Sequence, residues 1–254
     1  MQQTWATIEA LADDTLSGAA EIAERAARAM VGLSKKELPD AIETLLRGHP
    51  QMAPLWRLGN DLLLAEDTLQ GGEAFLQKLV ADEHAISVLS PLLPDRLLTI
   101  SYSSTVKEAV RIRQPSQVLC MQSDPGGEGL QMAGALSAWV EASVIPDEEA
   151  LAQIPADVVV VGADAVTPVS LVNKEKTQQL AEAAQAKSVP CFAVAGETKF
   201  VPEELPVSES FEAVNLELFT GIATPMGLLT PSEANAHAAA VELHAALRML
   251  ISRL

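Results

Sequence analysis

The hydrophobic pattern of this 254-residue chain changes its period near Pro91 and Pro94, and no other feature constrains the fold as strongly. Before these prolines, apolar residues recur every three or four positions, which places them on one face of a helix. After them, short apolar runs alternate with helical stretches, and that alternation indicates a parallel sheet covered by crossover helices. We therefore predict an α/β fold, with an all-helical domain over residues 1–92 and a Rossmann-like parallel-sheet domain over residues 93–254.

Local signals predict individual elements within this frame. Turns are expected at Gly48-His49-Pro50 and at Gln70-Gly71-Gly72, which separate helical stretches in the first part. Thr230, Pro231 and Glu233 form a capping-box pattern, which predicts a closing helix that runs from there to Leu254. The apolar runs that predict strands are 97–100, 117–121, 140–145, 157–161, 191–195 and 211–215.

Composition excludes several classes of function. The chain has 34 acidic and 17 basic residues, a formal net charge of -17 and no Lys/Arg block, so direct nucleic-acid binding is not expected. No apolar run approaches the roughly 18 residues of a membrane span, and no signal-peptide pattern is present, so we expect a cytoplasmic protein without a membrane partner. Cys120 and Cys191 lie in separate apolar runs without metal-ligand spacing, which predicts buried thiols and no metal site.

The segment from Val158 to Thr177 gives the clearest indication of a pocket. Its run of valines ends in Gly162-Ala163-Asp164, and ligands of open α/β proteins bind where strands end. Asn173 and Lys174 follow closely, so an amide and an ammonium group are expected a short loop away from the Asp164 carboxylate. This set of groups suits a polar, phosphorylated small molecule. Alternatively, Asp164 only caps a turn.

Eight short segments carry a resemblance to a known family over nearly the whole chain. They are Asp14-Thr15-Leu16-Ser17-Gly18-Ala19, His49-Pro50-Gln51, Leu98-Thr99-Ile100-Ser101-Tyr102-Ser103, Ser123-Asp124-Pro125 with Glu128-Gly129, Gly162-Ala163-Asp164-Ala165, Val172-Asn173-Lys174, Thr198-Lys199-Phe200 and Gly227-Leu228-Leu229-Thr230-Pro231-Ser232. In this order and spacing they resemble the α, β and δ regulatory subunits of translation initiation factor 2B. The same family includes methylthioribose-1-phosphate isomerase and ribose-1,5-bisphosphate isomerase.

The resemblance implies a helical domain packed on a Rossmann-like domain, a ligand site between them, and pairing of two subunits through the C-terminal domain. In the isomerases it also implies conversion of an aldose 1-phosphate into a ketose 1-phosphate. That reaction needs ring opening and a net hydrogen shift between adjacent carbons. It therefore requires an acid/base group on each side of the sugar and fixed cations for the phosphate.

The resemblance makes Asp164 and Ser101 the candidate catalytic residues. Ser101 stands at the family's cysteine position, and its hydroxyl is a much weaker acid and nucleophile than a thiol unless a base activates it. Since no Ser-His-Asp spacing accompanies Ser101, a hydrogen-bonding wall of the pocket is its alternative role. The candidate ligand-binding residues are Ser17, Gly18, His49, Gly129, Asn173, Lys174 and Lys199. For Ser17-Gly18 the alternative is close helix packing, and for Lys199 it is a solvated loop charge.

Two departures from the family pattern weaken phosphate binding. Asp124 stands where the isomerases and many relatives carry arginine, although the loop from Asp124 to Gly129 could present free N–H groups to an anion. A like charge about 4 Å from a phosphate costs on the order of 1 kcal/mol in water and about 4 kcal/mol at intermediate dielectric. His49 stands where the family commonly has an arginine, and a neutral imidazole carries no fixed charge.

We therefore predict a diverged member of this family: a homodimer, without a cofactor, whose interdomain pocket binds a small phosphorylated metabolite in a non-catalytic or regulatory role. The alternative is an aldose-ketose isomerase of the ribose-1,5-bisphosphate or methylthioribose-1-phosphate type, in which Asp164 and either Ser101 or water carry protons. His237 and His244, seven residues apart, are expected at a surface or interface, because no third metal ligand accompanies them.

Overall fold

The computed structural model describes residues 2–254, in which a helical part precedes a mostly parallel sheet with helices on both faces. This is the α/β fold class that the sequence predicts. None of the helices in the described range is both long and apolar enough to cross a membrane. The helices of the first part are α1 (Gln2–Ala12), α2 (Ala19–Met30), α3 (Leu38–Gly48), α4 (Ala53–Leu64), α5 (Thr68–Asp82) and α6 (His84–Leu89), and a 3-10 turn follows at Ser90–Leu92.

These helices surround one apolar cluster, because each presents a stripe of buried side chains to its neighbours. In α2 the stripe includes Ile22, Ala26 and Met30, at the four-residue spacing that places side chains on one helix face. Trp56 of α4 and Phe75 of α5 are fully buried in the same cluster. The predicted helical periodicity of this part is confirmed.

The turn predicted at Gln70-Gly71-Gly72 is wrong, since these residues lie inside α5. This helix begins earlier, where the Asp67 carboxylate accepts a hydrogen bond from the Gln70 N–H (2.8 Å). The glycines serve close packing: an ideal Cβ on Gly71 would lie 2.8 Å from the carbonyl oxygen of Asp61 in α4. The pair Gly71-Gly72 therefore lets α5 approach its neighbours, which outweighs the low helix propensity of glycine.

The second part alternates strands and helices. Its strands are β1 (Arg96–Thr99), β2 (Gln117–Met121), β3 (Glu141–Ile145), β4 (Val158–Val161), β5 (Ala165–Val166), β6 (Ser170–Lys174), β7 (Cys191–Val194), β8 (Phe211–Asn215), β9 (Gly221–Thr224) and β10 (Gly227–Leu229). Its helices are α7 (Ser104–Arg113), α8 (Glu128–Leu136), α9 (Asp147–Gln153), α10 (Thr177–Ala186), α11 (Pro231–Ala239) and α12 (Ala245–Ile251).

Seven strands form the main sheet in the order β10-β9-β7-β4-β1-β2-β3, and all adjacent pairs are parallel except β10 with β9. The predicted strand at Phe211 belongs instead to a small antiparallel sheet, β5-β6-β8. The sequence predicts that Asn173 and Lys174 lie a short loop away from Asp164, whereas both are buried residues of β6 in this sheet. The hydrophobic period of the sequence does not distinguish the strands of the two sheets, because these strands are short.

The main sheet is buried on both faces, which explains its continuous apolar runs. On one face, Leu98 and Val159 pack with residues of α9, α10 and α11. On the other, Leu97 and Val158 pack with residues of α6, α7 and α8. The thiols of Cys120 and Cys191 are buried and unpaired as expected, and burial raises the pKa of each to about 12.

The segment after Thr230 forms two helices, whereas the sequence predicts one. The capping box is confirmed, because Thr230 and Glu233 exchange side-chain to backbone hydrogen bonds at the start of α11. The helical structure is then interrupted between α11 and α12. In this interval the His244 N–H donates to the Asn60 side-chain oxygen (2.7 Å). Leu247 of α12 packs into the apolar cluster of the first helices. The domain boundary at residue 92 stays a prediction.

The strand order places a topological switch point between β1 and β4. From β1 the chain proceeds to β2 and β3 on one side, and it then returns to place β4 on the other side of β1. Loops that leave the carboxyl ends of two such strands diverge and create a crevice, which is where open α/β sheets bind ligands.

Candidate functional site

The switch point brings together the two candidate catalytic residues of the sequence. Ser101 follows β1 and Asp164 follows β4, and these strands are paired in parallel with Thr99 beside Val160. An ideal Cβ on Gly162 would lie 2.8 Å from the Ser103 hydroxyl, so the loop after β1 rests directly on the loop that leads to Asp164. Ser101 and Asp164 thus follow the ends of two neighbouring strands, and no side-chain hydrogen bond joins them in residues 2–254.

Ser101 lies in a strained turn that is linked to the end of β2. Its φ is 61° and that of Ser123 is 63°, a left-handed conformation that costs energy for residues other than glycine and is concentrated at functional sites. The Ser101 N–H donates to the Ser123 hydroxyl (2.9 Å), and the Ser123 N–H donates to the Asp147 carboxylate (2.9 Å). Asp147, a residue that the sequence analysis missed, therefore holds both turns.

Asp164 is partly buried between the two parts of the chain. Its N–H donates to the Val172 carbonyl (2.8 Å), and its carbonyl accepts from the Ala53 N–H at the start of α4 (3.0 Å). Burial raises the pKa of the Asp164 carboxyl group, and the nearby charges of Lys199 and His49 oppose this rise without cancelling it. A carboxyl group of this kind can exchange protons closer to neutral pH than an exposed one.

The raised pKa gives a prediction for Asp164→Asn. The folded protein binds the Asp164 proton more tightly than the unfolded chain, so this group stabilises the fold at low pH and that contribution is lost as pH rises through the raised pKa. We expect Asp164→Asn to be more stable than wild type at pH 7, with a difference that shrinks towards pH 3.8, the ordinary value of the group. Thermal unfolding between pH 3.5 and 8 measures this. A variant less stable than wild type at pH 7 would contradict it.

His49 and Lys199 complete the group around Asp164. The His49 ring is buried, and its Nε2 lies 2.8 Å from the carbonyl oxygen of Leu11 at the end of α1. The Lys199 ammonium donates to the Ala163 carbonyl, one residue before Asp164. The structure therefore brings together three of the predicted site residues, His49, Asp164 and Lys199, from the helical part and from two strand ends.

Lys174 and Asn173 are engaged within the protein. The Lys174 side chain is 7% exposed, and its Nζ lies 2.7 Å from Oε1 of Glu128 in the first turn of α8. The Asn173 amide donates to the Thr177 hydroxyl (3.1 Å). Since Ala165 pairs with Val172, the next position along the two chains places Asn173 beside Asp164, but the Lys174 ammonium is directed to Glu128.

The loop before α8 is fixed by a buried carboxylate. Asp147 accepts backbone hydrogen bonds from Ser123 and Asp124 (2.9 and 3.0 Å) and an ion pair from Lys176 (2.6 Å). Burial alone would raise the pKa of Asp147, but the hydrogen bonds from Lys176, Ser123 and Asp124 lower it on balance. Asp124 is exposed, and its own carboxylate accepts the Gln122 amide (3.0 Å).

Gly129 is required by the same loop for a steric reason. An ideal Cβ at this position would lie 1.7 Å from the carbonyl oxygen of Met121, the last residue of β2. The first turn of α8 can therefore contact the strand end only without a side chain at residue 129.

The sequence contains one signal that could have indicated Asp147. This residue is an acid directly after Pro146, at the start of a helix that follows a strand.

Ser17 and Gly18 form a separate turn before α2. The Asp14 carboxylate accepts the N–H groups of Ser17 and Leu16 and an ion pair from Arg25, all at 3.0 Å. The backbone hydrogen bond from Ser17 is the largest cause that lowers the pKa of Asp14 to about 2. No hydrogen bond in the described part of the chain joins this turn to the Asp164 group, so Ser17 and Gly18 stay predictions.

A cleft of about 1030 Å³ lies between helices α2, α5 and α6 of the first part, helix α7, and the loop after β7. Lys199 is one of its lining residues, whereas Asp164 and Ser101 are not among them. Asp82, at the end of α5, also lines it and accepts hydrogen bonds from Glu197 N–H (2.6 Å) and from the N–H of Thr198 (3.2 Å). Lys199 thus lies between the cleft and Asp164.

The two histidines near the C-terminus lie on different helices. His237 of α11 contacts Glu197 (2.9 Å between Nε2 and Oε2) and the edge of Phe200, whereas His244 precedes α12. They therefore cannot share the helix face that their spacing suggests. In residues 2–254 no three His, Cys, Asp or Glu side chains gather in a group that could hold a metal ion.

Comparison with known proteins gives a consistent result. A family model described as "Initiation factor 2 subunit family" matches residues 7–225. Among solved structures, a translation initiation factor eIF-2B from Pyrococcus horikoshii OT3 superposes with a TM-score of 0.81 and 24% identity, covering 91% of this chain and 98% of that one. The tetrameric eIF2B-beta2-delta2 complex from C. thermophilum gives a TM-score of 0.75 at 17% identity, over 94% of each chain.

An isomerase also shares the fold. The 5-methylthioribose 1-phosphate isomerase from Pyrococcus horikoshii OT3 gives a TM-score of 0.65 at 19% identity, covering 99% of this chain and 88% of that one. At these identities the structural matches show the fold, which is common to eIF2B subunits and to a sugar-phosphate isomerase. The match to the family model covers most of the chain, and this protein therefore belongs to the initiation factor 2 subunit family.

Proposed function

We propose that this chain binds a small metabolite with a single phosphate at the crevice beside Asp164 and does not convert it chemically. The observation that supports this most is which lysine side chains near the site already form ion pairs within the protein. Lys174 is paired with Glu128 and Lys176 with Asp147, whereas Lys199 contacts a backbone carbonyl beside Asp164. Lys199 can therefore donate hydrogen bonds to a phosphate group without breaking an ion pair with Glu128 or Asp147.

The cost of releasing Lys174 explains the preference for one phosphate. Breaking a buried ion pair by removing one partner costs about 3–5 kcal/mol, because an uncompensated charge stays behind. A second phosphate at Lys174 would have to displace Glu128 and leave that carboxylate beside it. The exposed carboxylate of Asp124, in the loop before α8, adds a further negative charge near this position. A bisphosphate therefore gains less from this site than a monophosphate does.

A thermal-shift titration tests the preference. We expect ribose 1-phosphate to raise the melting temperature in a concentration-dependent way, because a ligand that binds only the folded state stabilises it. Ribose 1,5-bisphosphate should bind more weakly. Inorganic phosphate serves as the control for a simple anion effect. A stronger response to the bisphosphate, or no response to any sugar phosphate, would contradict the proposal.

The second candidate is an aldose-ketose isomerase, which the raised pKa of Asp164 favours. A half-buried carboxyl group at a switch point is suited to move a proton between adjacent carbons of an opened sugar. The Ser101 hydroxyl, in its strained turn, or a water molecule would carry the second proton. Incubation with ribose 1,5-bisphosphate and with methylthioribose 1-phosphate, with detection of ketose, separates the two candidates. If wild type forms ketose and Asp164→Asn does not, the isomerase replaces the binding proposal.

We also propose that two copies pair through the α/β part. Support comes from two large apolar side chains that the β9-β10 hairpin leaves exposed at one edge of the main sheet, Met226 and Leu228. The eIF2B-beta2-delta2 relative is described as a tetrameric complex. Light scattering after size exclusion should give twice the mass of 26.9 kDa, and a monomer at tens of micromolar would contradict the pairing.

A further inference from the structure

Asp82 is an acid at a position where its own helix disfavours one. It is the last residue of α5, and the C-terminus of a helix carries partial negative charge, so a carboxylate there is destabilising. Burial raises the pKa of its carboxyl group, and the hydrogen bonds from Thr198 and Glu197 and the charge of Lys199 offset this rise only in part. The reason for an aspartate at this position therefore lies in its contacts outside α5.

The Asp82 carboxylate caps the short turn that contains Lys199. This 3-10 turn follows β7, and Gly196 in front of it has no side chain that could accept the free N–H groups of the turn. Asp82 accepts them instead, from the N–H of Glu197 (2.6 Å) and the N–H of Thr198 (3.2 Å), and it also accepts the Thr198 hydroxyl. Helix α5 thus supplies the cap that the turn lacks in its own sequence.

Gly196 is required by this arrangement for a steric reason. An ideal Cβ on Gly196 would lie 2.1 Å from Cγ of Asp82. A serine or an aspartate at residue 196, the usual caps of such a turn, would therefore displace the Asp82 carboxylate. The helical part and the loop after β7 are in direct contact at this point because residue 196 has no side chain.

The capped turn also determines where the Lys199 ammonium group lies. The Lys199 N–H donates to the Gly196 carbonyl (3.0 Å), so the Lys199 backbone belongs to the turn. Its ammonium group donates to the carbonyl of Ala163, one residue before Asp164. Asp82 and Lys199 line the same cleft, so this ammonium group borders a space that a ligand can enter. No hydrogen bond in residues 2–254 joins Asp82 to Asp164, and the turn is the structural connection between them.

We propose that Asp82 is a positioning residue: by capping the turn after Gly196, it holds Lys199 in the orientation in which its ammonium group binds the phosphate of the ligand. This inference rests on the proposed function and adds the group that fixes its phosphate contact. A lysine ammonium group on its four-carbon stem has many orientations, and a contact that is ordered before the ligand arrives binds more tightly. Phosphate binding thereby depends on contact between the helical part and the loop after β7.

Hydrogen exchange tests the cap without any ligand. It compares wild type with Asp82→Asn, in which an amide offers one oxygen acceptor where the carboxylate offers two. The control is Asp61→Asn, because Asp61 is a carboxylate of the same helical part that pairs with Lys78 and not with the turn. We expect the N–H groups of Glu197 and Thr198 to exchange roughly tenfold faster or more in Asp82→Asn, as loss of hydrogen bonds to a charged group implies. Asp61→Asn should leave their exchange unchanged.

Acylation by acetic anhydride, read by mass spectrometry, then reports the position of the Lys199 ammonium group. Asp82→Asn should accelerate acylation of Lys199, whereas Asp61→Asn should accelerate acylation of Lys78 and leave Lys199 unchanged. Gly196→Ala is the second variant, because its new Cβ displaces the Asp82 carboxylate without removing it. It should reproduce the effects of Asp82→Asn and keeps the test decisive if that variant does not fold.

A double-mutant cycle separates positioning from a general loss of stability. Binding of ribose 1-phosphate is measured by calorimetry for wild type, Asp82→Asn, Lys199→Met and the double variant, at a temperature where all four are folded. We expect Asp82→Asn to weaken binding about fivefold or more in wild type and less than about twofold in the Lys199→Met background, because both changes remove the same contact. A purely structural role of Asp82 would weaken binding by the same factor in both backgrounds.

Two results would overturn this role of Asp82. One is exchange of the Glu197 and Thr198 N–H groups and acylation of Lys199 that are all unchanged in Asp82→Asn. The other is an equal loss of affinity in the two backgrounds of the cycle. A wild type that binds no sugar phosphate contradicts the proposed function instead, and the two measurements without ligand still decide whether Asp82 positions Lys199.

Discussion

Replacing Gly129 by alanine is expected to lower the free energy of unfolding by about 3 kcal/mol or more, at the upper end of what overpacking usually costs. The reason is that the new Cβ would lie 1.7 Å from the Met121 carbonyl oxygen and 2.7 Å from its carbon. Both are backbone atoms of a buried inner strand, which cannot move aside as the end of a flexible side chain can. Helix α8 would have to separate from the end of β2.

Gly134 offers a matched control in the same helix. An ideal Cβ at Gly134 meets no atom within 4 Å. Gly134→Ala is therefore expected to stabilise the protein by about 0.5–1 kcal/mol, the usual gain from alanine over glycine inside a helix. Urea unfolding of both variants gives the comparison. A Gly129→Ala protein within about 1 kcal/mol of wild type would contradict the close approach described for this loop.

Replacing Asp147 by alanine is the second change with a large expected effect. Its side chain is 3% exposed, and its loss leaves two N–H groups and the Lys176 ammonium without their acceptor. Removing one partner of a buried ion pair costs about 3–5 kcal/mol. The neighbouring Glu148→Ala is the control, because Glu148 is exposed on the same helix and should change stability by only a few tenths of a kcal/mol.

The effect of Asp147→Ala should depend on pH in a defined direction. The pKa of Asp147 is lowered in the folded protein, so its contribution to stability is present above the ordinary value of 3.8 and is lost as pH falls through the folded value. The difference between wild type and Asp147→Ala should therefore shrink below about pH 3.8. A difference that is constant from pH 7 to pH 3, or a variant as stable as wild type at pH 7, would contradict this role.

The sequence predicts the strand-end residues of this protein well, because the physics that places them is local. A valine run that ends in Gly162 has to be a buried strand, and Asp164 then lies at its end wherever the strand sits in the sheet. The position of Ser101 after β1 follows in the same way. Their meeting at the switch point depends on strand order, which period and propensity do not specify.

Contacts made by single side chains are less predictable. The sequence predicts that Lys174 lies near Asp164, and the backbone of Lys174 does lie near it. The Lys174 ammonium group, however, contacts Glu128 in the first turn of α8. Asp147, which follows β3, accepts a hydrogen bond from Ser123, which follows the neighbouring strand β2, and no local sequence pattern reveals this contact. The sequence suggests that Gly71 is a turn residue, whereas in the structure it lies in α5, where the absence of a side chain permits close contact with α4. In each case a tertiary contact decides the role.

The fold is common to eIF2B subunits and to a sugar-phosphate isomerase, and it does not distinguish a regulatory from a catalytic role. Three local features of this chain support our proposal that it binds a ligand without converting it. Ser101 offers a hydroxyl where the isomerases are expected to carry a thiol. Glu128 neutralises Lys174, one of the expected phosphate contacts. Asp164 alone retains the character of an acid/base group, and a single group of this kind is also suited to recognise a sugar hydroxyl.

Calorimetric titration of ribose 1-phosphate into wild type, Lys199→Met and Lys187→Met tests most directly whether Lys199 is the phosphate contact of the Asp164 site. Lys187 is an exposed lysine at the end of α10 and serves as the control for a lost positive charge. We expect wild type and Lys187→Met to bind alike and Lys199→Met to bind at least roughly tenfold more weakly, because a charge-assisted hydrogen bond is lost. Equal affinity in Lys199→Met and wild type would contradict the proposed site.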